Sequence, residues 1–105
     1  MSNLVRLVVF VPTTHADQVR QAMGEAGAGQ IGNYTFCSFS VTGTGRFKPN
    51  TKATPAIGEV DTINEVAEER IEVACSREQV TTIVAAIRRV HPYEEVVIDI
   101  YELSP

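Results

Sequence analysis

Positive charge is scarce in this 105-residue sequence: nine Lys and Arg against thirteen Asp and Glu give a formal net charge of −4. Binding to a nucleic-acid backbone needs a concentrated basic surface. The basic residues here are scattered, apart from Arg46, Lys48 and Lys52, so nucleic acid is excluded as the partner. Long apolar runs are missing too. The longest, 7–11, falls far short of the roughly 20 residues that cross a bilayer. No charged stretch leads into an apolar core at the N-terminus, as a secretory leader requires. The expectation is a cytoplasmic protein with no membrane association. Its two cysteines, Cys37 and Cys75, are then thiols rather than a disulfide. Histidine is equally sparse, at His15 and His91. Neither accompanies a placed nucleophile, and no P-loop, dinucleotide fingerprint or metal-hydrolase helix motif occurs. No catalytic residue is assigned.

What is present fits one domain over residues 1–105, with 44% hydrophobic residues. A chain this short buries roughly 60–70% of its unfolded surface, so self-association adds useful stability. Residues 4–11 are β-branched and apolar and read as a buried strand ended by Pro12. Thr13 and Thr14 offer N-cap hydroxyls, Asp17 favours the helix dipole, and Val19, Ala22, Met23 and Ala26 recur at helical spacing up to Gly27. From Tyr34 the period becomes two. Cys37, Phe39 and Val41 share one face and Tyr34, Phe36 and Ser38 the other, until Gly43-Thr44-Gly45 breaks the strand. A polar loop with Pro49 and Pro55 follows. Residues 65–75 alternate again, with Ile71, Val73 and Cys75 on one face. Ser76 and Gln79 have capping-box spacing ahead of a helix striped by Val80, Ile83, Val84, Ile87 and Val90. Pro92 ends it, and residues 95–103 form the last strand.

The order β-α-β-β-α-β, with two halves that weakly echo each other, predicts an α+β ferredoxin-like sandwich: a four-stranded antiparallel sheet with two helices on one face. If Val5, Leu7, Val9 and Val11 face the helices, Val8 and Phe10 point outward with Tyr34 and Phe36. An outer face this apolar predicts a homo-oligomer.

His91-Pro92-Tyr93-Glu94-Glu95 is the densest polar cluster. Imidazole and carboxylate are transition-metal ligands, which makes His91 and Glu95 the metal candidates and a divalent metal the cofactor class. The bland alternative is a helix-ending His-Pro. His15 reads as a surface residue, and Cys37 and Cys75 as small hydrophobes on the apolar face. Gly43, Thr44, Gly45, Arg46 and Lys48 resemble a hairpin tip whose backbone and cations hold an anion, or an ordinary turn with solvated charges. Glu59, Glu65, Glu68, Glu69 and Glu72 read as a solvated face.

The segments Gly27-Ala28-Gly29-Gln30-Ile31-Gly32-Asn33-Tyr34, Cys37-Ser38-Phe39, Gly43-Thr44-Gly45-Arg46-Phe47-Lys48-Pro49, Ile57-Gly58-Glu59-Val60, Glu69-Arg70-Ile71-Glu72 and His91-Pro92-Tyr93-Glu94-Glu95 resemble, in one order across nearly the whole chain, the YqfO-type family. The likeness is to the PII/CutA-like domain inserted in the longer, Nif-three-like dinuclear-metal hexamers. It implies a homotrimer whose sheets line a central core, and ligand or metal clefts between subunits near the long loop. By position that loop is 43–61, bringing Arg46, Lys48 and Glu59 toward Tyr93 and Glu94. The dinuclear centre of the longer relatives lies in a flanking domain and is not implied here. Gln30 and Phe36 stand where relatives carry histidines, which leaves His91 without imidazole partners. The function expected is an oligomeric module that binds an anionic metabolite or a metal. The alternatives are a docking unit for a separate protein partner and an acid–base enzyme using His91 and Glu95.

Overall fold

The computed structural model describes residues 3–104; Met1, where the stretch read as lacking a leader begins, Ser2 and Pro105 lie outside them. Four strands, β1 (Leu4–Pro12), β2 (Phe39–Phe47), β3 (Asn64–Ser76) and β4 (Ile98–Glu102), alternate with helices α1 (Ala16–Glu25) and α2 (Val80–Val90). Short 3-10 turns at Thr13–His15 and Arg77–Gln79 lead into the helices. The sheet order is β2-β3-β1-β4 with every pairing antiparallel, so the fold is the ferredoxin-like βαββαβ sandwich.

The apolar period decides which face is covered. Val5, Leu7, Val9 and Val11 of β1 join Ile71, Val73 and Cys75 of β3 in a single core cluster with Val19 and Met23 of α1 and Ile83 and Ile87 of α2. Both helices therefore lie on one side of the sheet. Helix α1 closes with a Schellman arrangement: Gly27, at φ +101°, donates to Gly24 O, and Ala28 donates to Met23 O, as a left-handed glycine after a helix permits. Gln79 ties the end of α1 to the start of α2. Its Oε1 accepts the Ser76 N–H at 2.9 Å and its Nε2 donates to Gly27 O at 3.3 Å. Leu103 N donates to Leu4 O at 3.4 Å, so the first and last strands run side by side at one end of the sheet.

The second strand departs from the expectation in three ways. It begins at Phe39, and Tyr34 and Phe36 belong to the connector. Phe36 adopts a left-handed φ of 59° and its ring lies against Gly24 of α1, filling the space a Cβ there would need. It thus packs on the helix layer instead of the outer face. The register is also inverted. Phe39 pairs with Glu72 and Val41 with Arg70, which sets both on the outer face beside Val8 and Phe10. Ser40 and Thr42 face the helices, where Arg20 of α1 reaches Ser40 and Glu69. Finally, Gly43-Thr44-Gly45 continues the strand, pairing with Glu68, Ala67 and Val66 of β3, and the ladder runs on to Phe47 opposite Asn64. The long loop is therefore 48–63. Strand β4 starts at Ile98; before it, residues 91–94 are held through side chains and Val97 O accepts the Phe10 N–H at 3.4 Å.

The outer face is apolar at its rim and charged at its centre. Phe39 is 63% exposed, while Val8, flanked on the same face by Arg6, Phe10 and Glu72, is 0% exposed. Glu72 is shared by Arg6 and Arg70, and the Arg70 guanidinium lies 5.6 Å from the Phe10 ring centroid, a cation–π distance.

The connector offers a direct check on the fold. Gly29 (φ +78°) and Gly32 (φ +56°) are both left-handed, but a Cβ at Gly29 meets the Cys37 backbone whereas one at Gly32 meets nothing. Gly32→Ala should lose about 1 kcal/mol, the left-handed cost alone. Gly29→Ala should lose clearly more, read as urea midpoints at constant slope. Equal losses would mean that Gly29 is not pressed against Cys37.

Candidate functional site

A cavity of about 360 Å³ opens where the long loop folds over the segment that links α2 to β4. One wall is Phe47 at the end of β2 with Pro49, Pro55 and Ile57 of the loop; the other is Tyr93 and Val97. The Phe47 and Tyr93 rings meet at 5.9 Å and 59°, a tilted pairing suited to their quadrupoles. The loop is held shut from several sides. Thr54 N–H donates to Glu94 Oε1 at 2.9 Å and Asp61 N–H to Pro49 O at 2.7 Å. Asn64 clamps the loop's far end through Glu59 N–H at 3.0 Å, Glu59 O at 2.9 Å and Thr62 O at 2.8 Å.

The floor depends on His91. Proline at 92 stops α2, and the buried His91 ring then bridges back to β1. Its Nε2 lies 2.7 Å from Phe10 O, and its Nδ1 accepts the Tyr93 N–H at 3.2 Å. A carbonyl only accepts and an amide only donates, so the ring is the neutral tautomer with hydrogen on Nε2. Burial pushes its pKa below the ordinary value, against a pull upward from the Phe10 carbonyl and Glu68 and with a further push down from His15. The fold thus brings the chain's two histidines close together. Tyr93, its ring tilted against His91 with centroids 5.1 Å apart, sends its hydroxyl to Glu68 Oε2 at 2.7 Å. Burial first, and then the Glu68 bond and charge, raise the phenol pKa well above its usual value. The Glu68 carboxylate occupies the space that a side chain at residue 45 would need, which is why glycine stands there within a paired strand.

Of the residues singled out in the sequence, Gly45, Arg46, Lys48, Tyr93, Glu94 and Glu95 come together around this cavity. Gly43 and Thr44 border a smaller recess on the outer face. Glu59 serves the loop clamp through its backbone. With both nitrogens engaged, His91 has no lone pair free for a metal. Among the described residues no group of three His, Cys, Asp or Glu side chains is placed to hold an ion. The His91–Glu95 donor set does not fit a metal site here. The glycines at 43 and 45 are ladder residues, so they form no anion-binding nest. Arg46 is turned to Glu65 at 3.5 Å.

No family model matches the chain. Proteins described as GTP cyclohydrolase 1 type 2 homologs do. The one from Halalkalibacterium halodurans is 49% identical over 102 residues, covering 97% of this chain. Those from Mycobacterium tuberculosis and Bacillus subtilis are each 46% identical, over 104 and 101 residues. The chain spans about a quarter, 27%, of the length of these relatives. Among solved structures, the Bacillus cereus protein related to NIF3 superposes with a TM-score of 0.81 at 42% identity, over 97% of this chain and 26% of that one. The CutA protein of Archaeoglobus fulgidus gives 0.70 at 13% identity, over 97% of this chain and 85% of that one. The chain is homologous to one segment of the NIF3-related proteins, and it shares its fold with CutA.

The chain also uses residues that the sequence pattern assigned only to a solvated face. Glu68, Glu69 and Glu72 are half-buried partners of Tyr93, Arg20 and the Arg6–Arg70 pair, not a solvated face. The available signal was Gly45: a glycine continuing an alternating strand marks a neighbour's close approach. The two thiols are free. Burial raises the Cys75 pKa, which keeps that thiol protonated and unreactive.

The His91 geometry sets a pH dependence. Because its native pKa is depressed, the unfolded chain takes up a proton more readily. Stability is full above the ordinary histidine value of 6.5 and falls as pH drops through it. Urea midpoints should decline from pH 7.5 to 5.0, and His91→Gln should flatten that slope. A wild-type slope no steeper than the variant's would show that the buried neutral ring is not the cause.

Proposed function

We propose that the chain is a self-associating, small-ligand-binding regulatory module without a dinuclear metal centre of its own. The observation that carries this reading is the cavity between the long loop and the Tyr93–Val97 segment. Its volume of about 360 Å³ is within the roughly 300–1,000 Å³ of small-molecule sites, and its mix of apolar walls with a few convergent polar groups is what such sites use. The loop crosses the opening and is fastened by the exposed Thr54–Glu94 hydrogen bond, so occupancy of the cavity is coupled to the shape of the loop. That coupling turns a binding site into a signal. An organic ligand fits the lining better than a metal ion, and a metal role for His91 and Glu95 has no support in the hydrogen bonding.

Self-association rests on the outer sheet face. Phe39 and Tyr101 are 63% and 48% exposed there, with Val41 and Val97 nearby on the same face. Exposed apolar side chains of this size on one sheet face are what a subunit interface covers. A homotrimer is the assembly proposed, with the loops at its periphery. A second reading, a docking unit for a separate protein, is favoured by one feature: Ile31 and Tyr34, at 56% and 74% exposure, flank a tight Gly32-Asn33 turn. The cyclohydrolase activity named for the longer relatives is not carried over, since this chain corresponds to 27% of their length.

Native mass spectrometry tests the assembly. The expected species is three times the 11.5 kDa chain mass, and the double variant Phe39→Glu, Val41→Glu should shift it to monomer with unchanged far-ultraviolet circular dichroism. A wild-type monomer would remove the self-association reading.

A further inference from the structure

Resting on the cavity as a ligand site, we propose that it takes an apolar molecule carrying a single positive charge, a ring-bearing or alkyl ammonium, with Glu68 as its counter-ion. Three half-buried glutamates lie on β3, and two have cations: Glu69 pairs with Arg20 and Glu72 with Arg6 and Arg70. Glu68 makes no ion pair among the described residues. Its one polar partner is the neutral Tyr93 hydroxyl, bound to Oε2. Its carboxylate stays at the cavity wall because residue 45 has no Cβ to displace it. A partly desolvated carboxylate with no cation at ion-pair distance is an incomplete pair, and a bound cation completes it.

The rest of the lining agrees. Arg46 and Lys48 stand against Glu68, Glu94 and Glu95. Arg46 pairs with Glu65 outside the lining, so the lining holds two cations, one of them paired elsewhere, against three carboxylates. A polyphosphate would meet that negative balance without a glycine nest to offset it. The faces of Phe47 and Tyr93 add the π surface that attracts organic cations. Burying Glu68 against a cation also shields the charge that the Tyr93 phenol now shares alone.

Three probes of matched ring size separate head-group charge from cavity shape: naphthylmethylamine, naphthylmethanol and naphthoate. They are titrated into the full chain at pH 7.5 and followed by amide chemical shifts of Gly45, Phe47 and Tyr93. The amine should bind about tenfold more tightly than the alcohol, a difference within reach of one partly desolvated charge pair with a cation–π contact, and naphthoate most weakly. Glu68→Gln, which keeps an oxygen for the Tyr93 hydroxyl, should abolish the amine's preference while the alcohol's affinity stays the same. Naphthoate binding tightest, or an amine preference that survives Glu68→Gln, would overturn the assignment of the cation and leave the cavity as a site. Failure of all three probes to shift these amides would remove the cavity reading itself, and this inference with it.

Discussion

One imidazole fixes the geometry on which the site depends. After Pro92 stops α2, backbone pairing with β1 resumes only at Val97, whose carbonyl accepts the Phe10 N–H. The His91 ring supplies the missing register by bonding Phe10 O on one side and Tyr93 N on the other. The first bond pins the end of α2 to the central strand. The second turns the chain so that the Tyr93 hydroxyl meets Glu68 and its ring meets Phe47. A protonated ring would place a second N–H against the Tyr93 amide, so the neutral state is a requirement of the packing and burial enforces it.

Strand β3 shows how one polar run serves three environments. Successive residues of a strand point to opposite faces. Glu69 therefore meets Arg20 of α1 on the helix side, whereas Glu68 and Glu72 lie on the other side. There Glu72 is shared by two arginines over the centre of the sheet, while Glu68, nearer the loop, has the phenol alone. The same residue type is thus a tether between layers, a charge hub and a site group, and only its pairing partner distinguishes the roles.

Element order, the faces of β1 and β3, both helices and the cluster after Pro92 were legible in the sequence, because each has a strong local signal: buried β-branched alternation, a 3.6-residue stripe, a capping pair, a proline stop. The second strand was misread where local and long-range signals conflict. Aromatic alternation from Tyr34 imitates a strand, but the left-handed Phe36 ends that register, and the true strand takes its phase from β3. Gly43 and Gly45 look like breakers because the close approach of Glu68 is invisible until residues 45 and 68 are set side by side. His91 was found, but its role was not. Sequence shows the side chain and not the two backbone groups, 81 and two positions away, that use up its nitrogens.

The neighbouring ends of β1 and β4 have a consequence for how such a unit is inherited. Where the entry and exit of a fold are separated by about one strand spacing, near 4.8 Å, the whole fold can interrupt a surface loop of a host protein without prising the host's ladder apart. Here Leu103 N reaches Leu4 O, while the cavity lies at the opposite end of the sheet, beside Glu68 and Tyr93. A graft through those ends would leave the loop and its cavity pointing away from the host. Such a fold can be spliced as a block, carrying its cavity end intact whichever neighbour lies beside it.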